Sequence, residues 1–271
     1  MRIGVVAPAR AIKEEVAARV LAFAAIVFPS VDLVIDPQCF AEAGHFAGPD
    51  ELRAETFLRY ANDPAFDAIW FARGGYGSNR ILDEIMPALK PAAYRKRYIG
   101  YSDMGFMLGA MYARRVGRVA HGPMLIDMGT GGGDKTVTRS LDWLTGGTRG
   151  LEPGLGDRPA AAFNLSILTA MIGTPWLPDL TDHVLLIEEV GEPHYRMDRM
   201  LWQLSQSTQL KGIAGLRLGG VTDIVENDVA FGEEVEPMFE KWARVMGVPY
   251  LGRAQVGHMR DNWVVPFGMR G

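Results

Sequence analysis

Short apolar runs alternate with longer amphipathic segments through the first half of the chain. The runs are typical of buried strands, and the segments repeat their apolar positions with the period of a helix. Strands are predicted over residues 3–7, 31–35, 68–72, 98–101 and 119–123, and helices over residues 12–28, 51–62, 79–85, 104–115 and 136–144. Strands that alternate with helices predict β-α-β units and a mostly parallel sheet.

A stretch rich in glycine and proline, residues 146–160, follows these elements and predicts a linker. Residues 1–145 are therefore expected to form an N-terminal α/β domain, and residues 161–271 a C-terminal domain. In the second part, helices are predicted over residues 164–172, 197–207 and 235–246, and strands over residues 184–190, 212–220 and 221–225, with a last strand within residues 257–266.

The composition fits a globular protein with a sizeable core, since 48% of the 271 residues are hydrophobic and 22% are charged. The net charge of −4, without a long charged run, argues against a nucleic-acid partner or a membrane surface. The single cysteine, Cys39, excludes an internal disulfide and a multi-cysteine metal site. The N-terminus has the pattern of a first strand rather than a signal peptide, and no apolar segment approaches the roughly 20 residues of a membrane span. These observations predict a cytoplasmic protein.

The strand over residues 98–101 stops abruptly at Ser102, where a helix is predicted to follow. A serine at this point is either a helix N-cap, a position that serine favours, or a nucleophile beside the free N–H groups of the helix. Gly100 stands two residues before it, but Met104 stands two residues after it, so the G-x-S-x-G pattern is incomplete. Parallel sheets bind ligands at the carboxyl ends of their strands, and the glycine-rich residues 73–77 also lie at such an end. This placement favours the nucleophile.

A nucleophilic serine needs a base, and the base needs a partner that orients it. Of the five histidines, His258 and His121 are equally strong candidates, because each follows a short apolar stretch. His121 has a second interpretation as a structural hydrogen-bonding residue near the site. The other histidines are expected at surface or loop positions: His45, His183 and His194.

The candidate acids Glu188 and Glu189 end the predicted strand over residues 184–190. Successive residues of a strand point to opposite faces, so the two carboxylates must meet different surroundings. The simpler alternative is that both are solvated, or that one of them pairs with Arg196 or Arg199. The spacing alone does not choose between the two glutamates.

The loop over residues 73–77, Arg-Gly-Gly-Tyr-Gly, has more than one interpretation. Glycine-rich loops after strands hold phosphates or dinucleotides in many proteins, but here no G-x-G-x-x-G is formed and no P-loop lysine follows. Close approach to a small substrate, or donation into an oxyanion hole, fits the loop equally well. The chain has no H-E-x-x-H motif and no Cys/His cluster, which argues against a catalytic zinc, and no cofactor is expected.

An ordered set of short motifs runs along the chain. The N-terminal half carries residues 3–8, 46–54, 62–64, 73–77, 100–103 and 121–124 of this set. The C-terminal half carries residues 173–175, 188–192, 195–200 and 256–258. Together they cover nearly the whole chain in order, and the set resembles the LD-carboxypeptidase family of serine peptidases, which also contains the microcin-immunity peptidases.

The resemblance implies a serine peptidase in which Ser102 is the nucleophile, His258 the base and Glu188 the group that orients the base. It implies a Rossmann- or flavodoxin-like parallel-sheet domain and a smaller β-rich domain that supplies the glutamate and the histidine, with the active site in the groove between them. The oxyanion hole would be formed by the backbone N–H of Asp103 and that of one glycine of the 74–75 pair, for which we choose Gly75. Members of the family are commonly homodimers.

In LD-carboxypeptidases the cleaved bond joins a diamino acid to the terminal D-alanine of a murein tetrapeptide, in the cytosolic recycling of the cell wall. The resemblance therefore implies a small peptide substrate. Arg73 and Arg80 are candidates for binding its free carboxylate, although Arg80 is better explained as a solvated charge. Tyr76 is a further candidate for substrate binding.

The sequence also leaves two alternative functions open. A peptidase of the microcin-immunity type would act on a peptidyl-nucleotide or another acyl-amide, and a tryptophan such as Trp176 or Trp202 would have to face the groove. A catalytically silent ligand-binding protein could use the same two-domain frame. In that case Ser102, Glu188 and His258 are expected far apart.

The chain departs from the family pattern at two places. Ala162-Phe163 stands where Gly-Gly is usual, before the helix predicted from residue 164. That departure is expected to affect the shape of the substrate site. The sequence also ends at Gly271, soon after Pro266, so the last strand is expected to be short or missing.

Overall fold

The computed structural model describes residues 1–268, and its first sheet contains six strands within those residues. The strands are β1 Arg2–Val6, β2 Asp32–Ile35, β3 Ala68–Phe71, β4 Arg97–Gly100, β5 Arg118–His121 and β10 Val265–Pro266. Their order is β10-β5-β4-β3-β1-β2, and β1 to β5 are parallel. The last strand has two residues and runs antiparallel to β5. The final residues of the predicted C-terminal domain, 269–271, lie outside the described part.

Helices cover both faces of this sheet, as the alternation of strands and helices predicts. They are α1 Glu14–Val27, α2 Asp50–Asn62, α3 Leu82–Ile85, α4 Gly105–Ala113 and α5 Gly133–Leu144. Trp70 belongs to the core formed with α1 and α5, whereas its neighbour Phe71 belongs to the core formed with α2 and α4. Because β3 is buried on both faces, its sequence is continuously apolar rather than alternating.

The C-terminal part contains a second sheet, whose order is β6-β7-β8-β9 in the described chain. Its strands are β6 Ala160–Asn164, β7 Val184–Val190, β8 Gly215–Thr222 and β9 Tyr250–Arg253. All of them are parallel. The crossover helices are α6 Leu165–Met171, α7 His194–Gln206 and α8 Val235–Met246. The second sheet is therefore also built from β-α-β units.

Several element boundaries differ from the sequence-based prediction. Strand β6 was not predicted, because its three alanines are poor strand formers and its partners are distant in sequence. The strands predicted over residues 212–220 and 221–225 form the single strand β8. The helix predicted over residues 104–115 is the shorter α4, which is preceded by a 3₁₀ turn over Ser102–Met104. In the described residues, no helix combines the length and the apolar character needed to cross a membrane.

Candidate active site

The position of Ser102 is set by the sharp change from strand β4 to helix α4. Tyr101 is still extended, and Ser102 then adopts φ 60°, a left-handed conformation that is uncommon for a residue with a Cβ. Gly74, in the loop after β3, lies against it. A Cβ on Gly74 would stand 3.0 Å from the Ser102 Oγ and 3.3 Å from the Asp103 nitrogen, so a larger residue would crowd the hydroxyl. Strained backbone of this kind is concentrated at functional sites.

The structure brings Ser102, His258 and Glu188 into one hydrogen-bonded line. The Ser102 Oγ lies 3.1 Å from the His258 Nε2, and the His258 Nδ1 lies 2.8 Å from the Glu188 Oε2. The backbone N–H of His258 also donates to that oxygen, at 3.1 Å. Gly257 makes this approach possible, because its φ is +105° and a Cβ there would collide with the Glu188 side chain. Serine comes from the first sheet, and the other two residues come from the second part of the chain.

The electrostatics of the pair favour a carboxylate beside an imidazole that gains a proton readily. Burial, the largest single influence, raises the pKa of Glu188, but the charge and hydrogen bonds of His258 and the charge of His121 together hold that pKa below its ordinary value. For His258, burial lowers the pKa, but Glu188 and the more distant Asp127 and Glu189 together raise it. A buried carboxylate therefore stabilises the imidazolium form of His258.

This raised pKa predicts the pH dependence of any reaction in which His258 acts as a base. A base must be neutral to accept a proton, so kcat/KM is expected to rise with pH through a pKa above the ordinary histidine value of 6.5. The measurement is kcat/KM between about pH 5 and 9, with the Glu188→Gln variant beside the wild type. The variant lacks the carboxylate charge, so its kcat/KM is expected to rise through a lower pKa than that of the wild type. If kcat/KM of the wild type rises through a pKa at or below 6.5, His258 is not the base.

His121 lies in the site but does not form the hydrogen bonds that one interpretation gave it. Its side chain is buried, and neither ring nitrogen has a hydrogen-bond partner among residues 1–268. Burial lowers its pKa to about 4, so the ring is neutral near pH 7. Its ring centroid lies 5.5 Å from that of Tyr101, and the Tyr101 ring lies 4.8 Å from that of His258. The imidazole within hydrogen-bond distance of the Ser102 hydroxyl is therefore that of His258, and not that of His121.

Glu189 points away from the serine, as strand alternation predicts, and is also buried. Its carboxylate accepts hydrogen bonds from the Asn164 Nδ2 at 2.7 Å and from the Ser166 N–H and Oγ at 2.8 and 2.6 Å. The alternative that both glutamates are solvated is therefore wrong. Arg196 pairs with Glu192 instead, at 3.1 Å.

Of the two backbone donors expected for an oxyanion hole, Asp103 directly follows the serine, and Gly75 follows Gly74, which lies against it. In the hydrogen bonds of residues 1–268, neither the Asp103 N–H nor the Gly75 N–H has an acceptor. The Asp103 side chain is buried and accepts from the Ser78 N–H at 2.9 Å, and burial raises its pKa. Both N–H groups are thus available to a ligand.

The remaining substrate-binding candidates differ in their surroundings. Arg73 is half-buried and donates to the Ala11 carbonyl at 3.3 Å. Tyr76 is exposed and its ring lies near His45, with 6.2 Å between the centroids. Arg80 is exposed and pairs with Asp50 at 2.7 Å, which agrees with its interpretation as a solvated charge.

A cavity of about 500 Å³ opens beside His258. It is lined by Tyr101, Asp127, Thr130, Gly131, Thr136, His258, Met259 and Arg260. The sequence reasoning missed Tyr101, which donates to the Asp127 Oδ1 at 2.9 Å, although both residues stand in the loops that follow β4 and β5. Within the described chain, the lining includes no tryptophan: Trp176 lies against Arg114 and Asp83, and Trp202 is exposed on α7. Ala162 and Phe163 are buried in β6 and do not line this cavity either.

Two further expectations concern histidines and metals. The expectation that His183 is a surface residue is wrong, because its ring is buried and lies 2.7 Å from the Tyr112 hydroxyl. His194 begins α7 and stacks on Phe231, with 5.8 Å between the ring centroids. In the part of the chain that the structure describes, no group of three or more His, Cys, Asp or Glu side chains is arranged to hold a metal ion.

Comparisons with known proteins match both parts of the chain. Residues 3–122 match the model of the LD-carboxypeptidase N-terminal domain, and residues 161–271 match the model of the LD-carboxypeptidase C-terminal domain. The murein tetrapeptide carboxypeptidase of Pseudomonas aeruginosa is 28% identical over 98% of this chain and 91% of its own. A Streptomyces coelicolor protein whose name assigns it to the carboxypeptidases is 32% identical over 99% of this chain and 88% of its own.

Solved structures share the fold. The muramoyltetrapeptide carboxypeptidase of Oxalobacter formigenes superposes with a TM-score of 0.81 at 24% identity, over 98% of this chain and 93% of its own. The microcin C7 self-immunity protein in complex with aspartyl sulfamoyl adenosine superposes with a TM-score of 0.78 at 19% identity, over 99% of this chain and 91% of its own. At these identities the superpositions concern the fold alone.

Proposed function

The chain belongs to the LD-carboxypeptidase family, and from that premise we propose that it removes the terminal D-alanine from murein tetrapeptides through an acyl-enzyme on Ser102. The observation that carries the proposal is the line of hydrogen-bond distances from the Ser102 Oγ through His258 to Glu188. A relative that covers nearly the whole chain is named a murein tetrapeptide carboxypeptidase, which supports this substrate class.

The hydrogen-bond distances support a proton path for the first step of the proposed reaction. Glu188 accepts from the backbone N–H and from the Nδ1 of His258, so the proton of a neutral imidazole sits on Nδ1 and Nε2 is free to accept. Ser102 attacks the scissile carbonyl carbon while its proton moves to Nε2. Glu188 holds the tautomer and stabilises the imidazolium that results.

The developing oxyanion would lie between the N–H groups of Asp103 and Gly75, each of which is expected to contribute about 3–4 kcal/mol to the transition state. His258 then returns the proton to the amine of D-alanine as the peptide bond breaks. In the second half of the reaction, water loses a proton to His258 and attacks the ester carbonyl. His258 then returns that proton to the Ser102 Oγ as the ester C–O bond breaks, which restores the free serine. A cytosolic setting and a homodimer, both implied by the sequence resemblance, belong to the same proposal.

The geometry of the site bears on both alternative functions, a silent ligand-binding protein and a peptidase that acts on a peptidyl-nucleotide. A silent ligand-binding protein would hold the three side chains apart, whereas they lie at hydrogen-bond distances. A peptidase that acts on a peptidyl-nucleotide has support from the shared fold of the microcin self-immunity protein, which was solved with aspartyl sulfamoyl adenosine. The cavity beside His258 nevertheless lacks a tryptophan among its described lining residues, so an indole platform for a nucleobase is missing there.

The test compares the two substrate classes directly. Purified protein is incubated with murein tetrapeptide or with a peptidyl-nucleotide, and the released D-alanine or nucleotide product is detected by mass spectrometry. The proposal predicts D-alanine release at a kcat/KM at least about tenfold above that for the nucleotide, a preference worth about 1.4 kcal/mol. If the protein cleaves the peptidyl-nucleotide and releases no D-alanine, the murein proposal fails.

A further inference from the structure

Two arginines lie at the loop over residues 73–77: Arg73 belongs to it, and the Arg10 side chain packs against it. Arg10 lies in the loop after β1 and Arg73 in the loop after β3, and these strands are neighbours in the sheet. The Arg10 stem packs on Gly75, since a Cβ on that glycine would stand 2.6 Å from the Arg10 Cγ. Gly74, one residue earlier, is the residue that contacts the Ser102 hydroxyl region. The Arg10 stem therefore lies on Gly75, the proposed oxyanion donor, and Arg73 stands two residues before that glycine.

The charges of these arginines are not neutralised within residues 1–268. Neither Arg10 nor Arg73 has a carboxylate within salt-bridge distance there, and the hydrogen bond of Arg73 goes to a neutral carbonyl. Burial and the nearby charge of Arg10 both lower the pKa of Arg73. Other arginines around this end of the molecule do have acidic partners: Arg53 and Arg80 pair with Asp50, and Arg59 pairs with Asp36.

Two half-buried guanidinium groups that repel each other are costly to hold together, and an anion between them removes that cost. Arginine is also the side chain best suited to bind a carboxylate through two parallel hydrogen bonds. In a carboxypeptidase substrate, only the departing nitrogen and one carbon atom separate the C-terminal carboxylate from the scissile carbonyl. An anion site beside the oxyanion donor is therefore within reach of that carboxylate.

We infer that Arg10 and Arg73 together bind the C-terminal carboxylate of the departing residue and so make the enzyme an exopeptidase. The inference rests on the proposed function, and it adds Arg10, which the sequence motifs did not single out. Binding would bring a negative charge to the pair and would set the scissile bond over Ser102. Substrates that lack the free carboxylate would lose this orientation.

The test uses the full-length protein, the murein tetrapeptide and the same peptide with a C-terminal amide. In the wild type, kcat/KM for the acid is expected to exceed that for the amide by about 100-fold, because hydrogen bonds to charged groups are strong. Arg10→Gln keeps the stem on Gly75 and removes the charge. Its kcat/KM for the acid is therefore expected to fall about 10- to 100-fold, whereas its kcat/KM for the amide should hardly change. Arg10→Lys should recover part of the loss. Arg2→Gln is the control, because Arg2 stands at the amino end of β1 and already has Asp32 as a partner; it should keep the wild-type ratio of kcat/KM for the acid to that for the amide.

The outcomes separate this inference from the proposed function. A wild type that releases no D-alanine from the acid defeats the proposed function itself. If the wild type is active but Arg10→Gln has the same ratio of kcat/KM for the acid to kcat/KM for the amide, the inference alone is overturned. A further control uses a tetrapeptide whose diamino acid is lysine, which has no side-chain carboxylate. If the loss in Arg10→Gln disappears with that peptide, the arginines bind a side-chain carboxylate of the substrate instead, and the inference is overturned. A loss of equal size on acid and amide would mean that Arg10 only supports the loop, and it also overturns the inference.

Discussion

Replacing Ser102 with alanine is expected to lower kcat for D-alanine release by at least about 10,000-fold, because among residues 1–268 no other hydroxyl lies within hydrogen-bond distance of the His258 Nε2. The residual rate would come from the oxyanion donors and from binding. The substitution removes one oxygen at a partly exposed position, so the cavity that it creates is negligible. Substrate affinity should be close to that of the wild type, which isothermal calorimetry can measure with the inactive variant.

The thermal unfolding midpoint provides the control for this variant. Ser102→Ala keeps a Cβ at the strained φ of 60°, so the strain is unchanged and the midpoint is expected to match that of the wild type within a few degrees. A fully active Ser102→Ala protein would remove the serine from the mechanism. If Ser102→Ala is inactive and also unfolded, Ser102→Cys is tested in its place, because cysteine keeps a nucleophilic atom at the same position.

The neighbouring glutamates provide a second test with a built-in control. Glu188→Gln preserves the shape of the side chain and its contact with His258, but it removes the charge that stabilises the imidazolium. We expect kcat to fall about 100- to 10,000-fold, the range that general acid–base catalysis contributes. Glu189→Gln changes the adjacent residue, which points to the opposite face of β7. For this variant we expect kcat to change by less than about threefold.

Stability should show the reverse order for the two variants. Glu189 accepts from Ser166 at one oxygen and from Asn164 at the other, and an amide can accept at only one of these positions. The free energy of unfolding of Glu189→Gln is therefore expected to fall by about 1–3 kcal/mol. Urea denaturation of both variants measures this loss. Equal loss of activity in the two variants would show that the family-based choice of Glu188 over Glu189 has no functional basis.

Much of the N-terminal sheet could be predicted from the sequence, because its strands are short apolar runs that alternate with helices. The turn at Ser102 and the glycine loop over residues 73–77 follow the same logic, since both stand directly after buried strands. Alternation along β7 predicts that Glu188 and Glu189 face apart. It does not indicate which of them meets the histidine, because that contact joins residues about 70 positions apart.

The parts that could not be predicted depend on contacts between distant segments. Strand β6 has an alanine-rich sequence and forms because it is buried between β7 and the returning β10. His183 looks like a polar residue at the start of a strand, but Tyr112 from α4 supplies its partner. Arg10 follows Pro8 and Ala9 in a loop without any motif, and only the folded chain brings its side chain to Gly75. Such residues have no local signal because their function is defined by a neighbour in space.

The role of Ser102 as the nucleophile is tested by mapping where an uncharged organophosphonate that reacts with activated serines modifies the protein, while D-alanine release from murein tetrapeptide is followed in the same samples. We predict one adduct, on the tryptic peptide that contains Ser102, with activity falling in proportion to the modified fraction. Excess tetrapeptide should slow the labelling. Release of D-alanine that survives complete modification of Ser102, or loss of activity through an adduct on another residue, would show that Ser102 is not the nucleophile.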